Sequence, residues 1–349
     1  MKIVLDCERM KYPFTGLNTF CKQLAAAMRQ TVDEKDQLSF FVAPKDEGFL
    51  GKDQTYIKQH FINKVIPIQI KDLDIWHSTY QLSKYTGGGR NTKKVLTVHD
   101  LNYLYEKSTA KDIERYRRKH QRILDRADHI VAISEYVKND ILHHLDVKGK
   151  PVSVVHNGFQ VIGYPDFNTP TYSPQRPYIF AMGTVVRKKN FHVIPAILKD
   201  NDYELIIAGS VSDYAEVIKD EAKKYNVADR VKIIGAVSDE EKYWYLKNMA
   251  AFVFPSLAEG FGLPVMEAMY FGKPVFLSTL TSLPEIGGEE AYYFENFDPD
   301  YMTDVFEKGM SDFNANQEKR IQIEERARMF SWEKCAQGYY DIYTQLVRS

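Results

Sequence analysis

Residues 251–272 read AFVFPSLAEGFGLPVMEAMYFG. The first four are apolar without a break, the mark of a strand buried on both faces. Pro255 and Ser256 end the run, and Gly260 and Gly262 follow in a turn. Pro264 then stands where a helix opens, because proline in the first helical turn forfeits no intrahelical hydrogen bond. Strand, glycine-bearing turn and helix, in that order, form the repeating unit of an α/β fold.

The same rhythm runs through the chain. Short apolar runs recur at 2–5, 94–98, 129–133 and 152–155, and again at 178–182, 203–209, 231–237 and 274–277. Helix patterns separate them. Behind Ser134, a predicted N-cap, Val137, Ile141, Leu142 and Leu145 return at helical spacing. The alternation predicts doubly wound parallel sheets with ligands beyond the carboxyl ends of the strands. Four of the 14 prolines (Pro165, Pro170, Pro174 and Pro177) fall within 160–177, which reads as an extended linker. The expected division is a first domain over 1–165, a linker over 166–177 and a second domain over 178–329. Two α/β halves on one linker predict a cleft between them, a common ligand site.

The 349 residues, 44% hydrophobic and 27% charged, suit a soluble chain of about two domains. Lys and Arg total 46 against 47 Asp and Glu, which excludes a dedicated nucleic-acid binder. Asp6, Glu8 and Arg9 break the N-terminal apolar run too early for a secretory signal. No apolar stretch approaches the roughly 20 residues of a spanning helix. Cys7, Cys21 and Cys335 are odd in number and lack metal-ligand spacing. A reducing, cytoplasmic setting is expected, with neither disulfides nor structural zinc.

The 251–272 stretch also carries chemistry. Gly260 and Gly262 permit close backbone approach, and the helix start offers N–H groups to an anion. Glu259 and Glu267 would repel a phosphate, so as ligand groups they must face hydroxyls. A phosphate with hydroxyls on both sides describes a nucleotide sugar. The alternative is that Glu267 complements the helix dipole and Glu259 is a solvated loop charge. A second stretch, GTVVRKKN at 183–190, opens with Gly183 directly after a predicted strand. It puts Arg187, Lys188 and Lys189 on a strand-end loop, and a diphosphate needs about two positive charges there.

Together these stretches resemble the retaining glycosyltransferase family 4, of the GT-B fold. FVFPSLAEGFGLPVMEAM, with Glu259 and Glu267 eight apart, looks like the family's E-x7-E signature. Val98-His99-Asp100-Leu101 resembles its first-domain HD motif, ADHIVAISEYVKNDI at 127–141 its strand-Ser-helix, and His156-Asn157-Gly158 its NG turn. Residues 233–256 and 281–300 also match. FSWEKCAQGYYDIYTQL at 330–346 resembles the helix that crosses back to the first domain, giving a fourth segment over 330–349.

The resemblance implies two Rossmann-like domains facing across a cleft, the first for the acceptor and the second for the donor. Glu259 would bond donor-sugar hydroxyls beside the backbone N–H groups of Phe261, Gly262 and Leu263. Glu267 would hold the ribose. Lys189 aligns with the family's phosphate lysine, and Arg187 and Lys188 share the role of its arginine. His99 would face the sugar. The first phosphate loop departs from the family's G-x-G-R: Thr15-Gly16-Leu17-Asn18-Thr19 keeps Gly16, but Asn18 and Thr19 replace the second glycine and the arginine. A left-handed Asn18 is expected to preserve the turn.

The implied function is transfer of a sugar from a nucleotide-sugar donor to a glycan or lipid-linked saccharide acceptor, with retention and without metal or resident cofactor. Resemblance to bacterial polysaccharide and lipopolysaccharide mannosyltransferases makes GDP-mannose the expected donor. The alternatives are a UDP-sugar-dependent glucosyl- or N-acetylhexosaminyltransferase, a sugar phosphorylase or epimerase, and a non-catalytic sugar-nucleotide binder.

Other features read as structural. The glycines of 86–90 suggest a surface loop, Asp298-Pro299-Asp300 a helix start rather than a metal D-x-D, and the adjacent His143 and His144 cannot converge on one metal. The basic stretch 107–126 could touch anionic lipid at the inner membrane face, although Asp112, Glu114 and Asp125 dilute it and a solvated face is the alternative.

Overall fold

The computed structural model describes residues 1–13, 15–106, 109–161, 163–164 and 166–348; Pro165 of the expected linker and Lys107 and Ser108 of the basic stretch lie outside the described residues. Every apolar run singled out above becomes a strand. In the first sheet these are β1 (Lys2–Asp6), β5 (Lys93–Val98), β6 (His129–Ala132) and β7 (Val152–Val154), joined by β2 (Gln37–Val42), β3 (Thr55–Lys58) and β4 (Ile75–Ser78). The second contains β8 (Tyr178–Met182), β9 (Glu204–Ala208), β10 (Val231–Gly235), β11 (Ala251–Phe254), β12 (Val275–Ser278) and β13 (Tyr292–Phe294). All pairings between neighbouring strands are parallel.

The strand orders are β3-β2-β1-β4-β5-β6-β7 and β10-β9-β8-β11-β12-β13. Both are doubly wound, and in each the winding reverses beside the first strand, between β1 and β4 and between β8 and β11. At such a switch the loops diverge to opposite faces and leave a crevice at the carboxyl ends.

The chain forms two units, Met1–Gly158 with Ser331–Ser349, and Phe159–Phe330. The division therefore falls after Gly158 rather than at 165. The proline-rich stretch does not hang free. Its Tyr172 hydroxyl donates to Glu204 at 2.7 Å and the Tyr172 N–H to the Tyr245 hydroxyl at 3.1 Å, while the Thr171 N–H bonds Glu241. Prolines make the segment extended, and these side chains strap it to the second unit.

The helix Trp332–Arg348 belongs to the first unit, where Trp332, Cys335, Ala336, Tyr339, Ile342 and Tyr343 are buried. A polar chain fastens it to the sheet. The Tyr343 hydroxyl lies 2.6 Å from His77 Nδ1, Thr97 Oγ1 is 2.7 Å from His77 Nε2, and the Tyr339 hydroxyl is 2.8 Å from Thr97 Oγ1. Burial lowers the His77 pKa to about 3, so the ring is neutral and its two nitrogens divide donor and acceptor roles.

Several local expectations change. Ser134 does cap its helix, accepting from the Val137 N–H at 3.1 Å, but Leu142 faces solvent. In the basic helix Ala110–Leu124 the buried residues are His120 and Leu124. Gly87 of the expected surface loop is buried and bridged to Ile68.

Gly158 has a steric requirement. A Cβ there would lie 2.2 Å from the Trp332 backbone nitrogen and 2.5 Å from the Ser331 carbonyl carbon, and backbone cannot step aside. Gly158→Ala is therefore expected to cost at least about 2 kcal/mol, lowering the melting temperature by several degrees. Gly89→Ala, with nothing within 4 Å of its added methyl, should stay within about 0.5 kcal/mol of wild type. Thermal melts of both variants check the pair.

Candidate active site

At the switch point of the second sheet, the loops after β8 and β11 meet. After β8 the chain turns through Gly183, at φ 144°, and enters a short helical turn over Arg187–Lys189. A Cβ on Gly183 would come within 3.1 Å of Lys189 Cε; its absence lets the lysine stem fold back over the strand end. Asn190 ends the turn in the left-handed conformation, and its buried Nδ2 has no partner among the described residues.

Lys189 Nζ meets Glu259 Oε1 at 2.5 Å and lies 4.7 Å from the Phe254 ring centre at the end of β11. Both side chains are mostly shielded, at 13% and 15% exposure. Ser256 Oγ is also 2.5 Å from Glu259 Oε1 and 3.1 Å from the Lys188 carbonyl, which accepts the Leu257 N–H at 2.7 Å. Thus one Lys188 oxygen ties the two loops together while its neighbour makes the ion pair. On the other side, the Glu259 N–H donates to Thr281 Oγ1 at 3.1 Å and Ser282 Oγ to the Glu259 carbonyl at 3.1 Å. Thr281 sits at φ 58°, a conformation that costs a β-branched residue roughly 1–3 kcal/mol and clusters at functional sites.

Gly262, at φ 123°, then opens the helix Leu263–Tyr270, with Pro264 in its first turn and no side-chain cap. Its N-terminal amides suit an anion. Phe261 is buried against Phe330, and Gly260 completes the turn. One turn into the helix, Glu267 pairs with Lys242 of the helix Asp239–Asn248 at 2.8 Å. Burial pushes the Glu267 carboxyl up from its ordinary value, and Lys242 only partly pulls it back. For Lys242 burial is the largest single influence and works the other way, but the Glu267 charge and hydrogen bond together with Tyr243 and Asp239 outweigh it and the pKa rises.

The structure thus joins Lys189 to Glu259, and sets Glu267 with a separate cation. Lys188 contributes its carbonyl to the loop junction, and Arg187 is exposed. Sequence reasoning missed Ser256, Thr281, Ser282 and Lys242. Ser256, two residues beyond the end of β11, carries the one local signal; the other three lie on loops or helices that only the tertiary fold brings near.

In the first unit, His99 follows β5. Its Nε2–H donates to the Thr79 carbonyl at 2.8 Å, its backbone N–H to Gln81, and its ring meets Phe20 edge-on at 4.6 Å. Burial lowers its pKa to about 4, so it is neutral at pH 7 with only Nδ1 left for another role. Thr79 also donates to the Asp6 carbonyl, linking the ends of β1, β4 and β5. Asp6, which sequence reasoning passed over, accepts from Ser83 Oγ at 2.6 Å, and burial lifts its pKa to about 7. The expected left-handed Asn18 is corrected. Gly16 begins a helix running to Thr31, Thr15 Oγ1 caps it through the Asn18 N–H at 3.2 Å, and Asn18 is buried inside it with Nδ2 on the Met10 carbonyl.

Asp298 caps the helix Pro299–Ala315 through the Asp300 and Tyr301 N–H groups, each at 3.1 Å, and Asp300 pairs with Lys199. Among the described residues, no three His, Cys, Asp or Glu side chains are grouped to hold a metal ion.

The model of the family described as "Glycosyl transferases group 1" matches residues 167–330, and that of "Glycosyltransferase Family 4" matches 64–161. The chain belongs to this glycosyltransferase family. It is 28% identical over 277 residues to the serotype-specific mannosyltransferase WbdA of Escherichia coli, covering 74% of this chain but 34% of that protein. It therefore spans about a third of the length of that relative. To O-antigen chain mannosyltransferase B of Escherichia coli it is 23% identical over 396 residues, covering 99% of this chain and 100% of the relative. Sucrose-phosphate synthase from Thermosynechococcus elongatus superposes with a TM-score of 0.74 at 19% identity, covering 99% of each chain. That likeness confirms the GT-B fold.

The Lys242–Glu267 pair yields a direct test. Lys242→Met strands a buried carboxylate and should cost about 3 kcal/mol at pH 7. Without its cation the folded-state pKa of Glu267 rises further above the unfolded value. Its contribution is then present at acid pH and lost as pH rises, so the deficit must shrink on acidification. Lys242→Met combined with Glu267→Gln should regain most of the loss. Urea melts across pH check all three points.

Proposed function

We propose that the chain is a retaining, metal-independent glycosyltransferase that moves a sugar from a nucleotide-sugar donor to a glycan or lipid-linked saccharide acceptor in surface-polysaccharide synthesis, with GDP-mannose as donor. The observation that carries the reading is the Lys189–Glu259 pair beside the uncapped helix start at Leu263. Each partner of that pair has a replacement in the donor. The diphosphate takes Lys189, and the sugar hydroxyls take the carboxylate that Lys189 releases, so neither charge is left buried alone. Mannose is supported by the names of two relatives. The three cysteines are free thiols, in keeping with a cytoplasmic enzyme.

In this mechanism the leaving diphosphate develops charge that Lys189, the Arg187–Lys188 turn and the first amides of the helix Leu263–Tyr270 stabilise, which is electrostatic catalysis. The acceptor attacks from the face the diphosphate leaves, through an oxocarbenium-like state. Glu259 orients the sugar, and Glu267, steadied by Lys242, holds the ribose. His99 serves as a neutral imidazole, since protonating it at pH 7 runs against its burial.

Lys189→Ala should weaken GDP binding and lower turnover by on the order of 2.7–4 kcal/mol, as for loss of an oxyanion donor. Glu259→Ala releases Lys189, so it should bind bare GDP at least as tightly as wild type yet lose turnover and discrimination among donor sugars. Calorimetry with GDP beside initial rates with GDP-mannose decides. Unchanged rates in Glu259→Ala would sink the catalytic reading, and thermal stabilisation by UDP-sugars alone would replace the donor.

Activity should also survive excess EDTA. Complete loss restored by Mn²⁺ or Mg²⁺ would refute charge stabilisation by side chains and amides alone.

A further inference from the structure

Residues 54–71, QTYIKQHFINKVIPIQIK, contain three lysines and one histidine and no Asp or Glu. Their apolar side chains divide into two sets. Ile57, Ile68 and Ile70 pack on the core of Val4, Phe41, Leu73, Trp76 and Tyr85. Ile68 is further pinned by its N–H to the Thr86 carbonyl at 2.9 Å and by the Gly88 N–H at 2.8 Å. Between these anchors, Phe61, Ile62, Val65 and Ile66 point to solvent, at 80%, 58%, 81% and 52% exposure. Single exposed apolar residues are ordinary; four large ones on six consecutive positions are an interaction patch.

The tip is built rather than frayed. Asn63 Oδ1 accepts the His60 N–H at 2.8 Å, and the Asn63, Val65 and Ile66 N–H groups bond carbonyls of His60 and Ile62 at 2.9–3.0 Å. Its backbone can therefore leave bulk water without stranding these polar groups. Lys64 lies 4.7 Å from the Phe61 ring centre, placing a cation at the rim of the apolar cap. The tip follows β3, so it projects from the carboxyl edge of the first sheet, the edge that also carries the loops of Asp6 and His99.

We propose that the 61–66 tip is an interfacial anchor that seats Phe61, Ile62, Val65 and Ile66 at the headgroup boundary of an anionic lipid surface, with Lys64 at the rim toward the headgroups. Apolar insertion and basic charge are the two signals that stable peripheral binding requires. A second copy of the chain fits less well, because pairing two such tips would bring the two Lys64 side chains together. The basic helix Ala110–Leu124 lacks the combination. Arg115 pairs with Asp112, Arg117 and Arg118 pair with Glu114, and the helix carries no large apolar residue among the strongly exposed ones. The membrane contact is thereby moved from 107–126 to 61–66. The anchor does not depend on the proposed reaction, and its test needs no sugar.

Flotation of the full chain with vesicles decides. It should bind vesicles of phosphatidylglycerol with phosphatidylcholine, bind phosphatidylcholine alone more weakly, and dissociate from the mixed vesicles as salt rises. Phe61→Ser with Val65→Ser should reduce mixed-vesicle binding by about tenfold or more and Lys64→Glu should reduce it less. Melting temperature and the thermal shift with GDP should be those of wild type in each variant, because the altered side chains are exposed. Arg115→Gln with Arg118→Gln should bind as wild type. The anchor is overturned if folded wild type ignores the mixed vesicles, if the serine variant binds them equally, if the arginine variant loses binding, or if sedimentation shows a dimer through this tip in place of vesicle binding.

Discussion

Lys189 and Glu259 are 70 residues apart and meet at 2.5 Å in a setting that water reaches only slightly. Taking two such charges out of water costs several kcal/mol each, and the attraction between them recovers this only when geometry is good and remaining lone pairs are bonded. The second unit meets those conditions with unusual thoroughness. Ser256 adds a hydrogen bond to the carboxylate, the Lys188 carbonyl joins the two loops, and Thr281 and Ser282 grip the Glu259 backbone from a third. Thr281 even holds a left-handed backbone to do so. Apolar residues would fill the space at lower cost. What they could not do is exchange partners with a ligand that carries both an anion and hydroxyls.

The cost of burying polar groups also decides which parts are legible in the sequence. Buried parallel strands read as plain apolar runs, so β1, β5 to β7 and β8 to β12 are visible as they stand. β2 opens on Gln37, β3 is exposed at both ends with no fully buried residue, and β4 carries His77 in its middle. His77 is tolerated only because Thr97 and Tyr343 occupy its two nitrogens, and Tyr343 lies 266 residues further on. No local pattern announces a strand whose polar residue is satisfied from the other end of the chain.

The site divides the same way. Glu259, Lys189 and the helix start belong to short motifs whose residue types state their chemistry. Lys242 and Thr281 look like ordinary surface lysine and loop threonine until the helix Asp239–Asn248 and the loop after β12 are packed in place. The misplaced expectation at Asn18 has the same origin. A motif with two glycines implies a turn, whereas Thr15 is a good N-cap and Asn18 finds the Met10 carbonyl from inside the helix. Capping chemistry outweighed the family pattern.

The two units share a winding but not an electrostatic task. At the switch point of the second sheet the groups are permanent charges in pairs. Those at the first are mixed: a Glu8–Lys11 ion pair, a neutral imidazole, an Asp6 carboxyl lifted to about 7, and Arg9, whose guanidinium lies 4.5 and 4.3 Å from the ring centres of Tyr12 and Tyr80. Neutral donors and aromatic faces recognise saccharide hydroxyls and ring faces, whereas fixed cations and helix amides recognise phosphate. The fold supplies equivalent crevices, and the side chains at the strand ends, which differ between the sheets, decide what each crevice selects. Sugar identity is harder to read than phosphate recognition for the same reason. A diphosphate needs only cations and amides in roughly the right place. Distinguishing one hexose from another needs a specific carboxylate oxygen opposite a specific hydroxyl, and under the proposed function Glu259 would take that alignment only on release from Lys189.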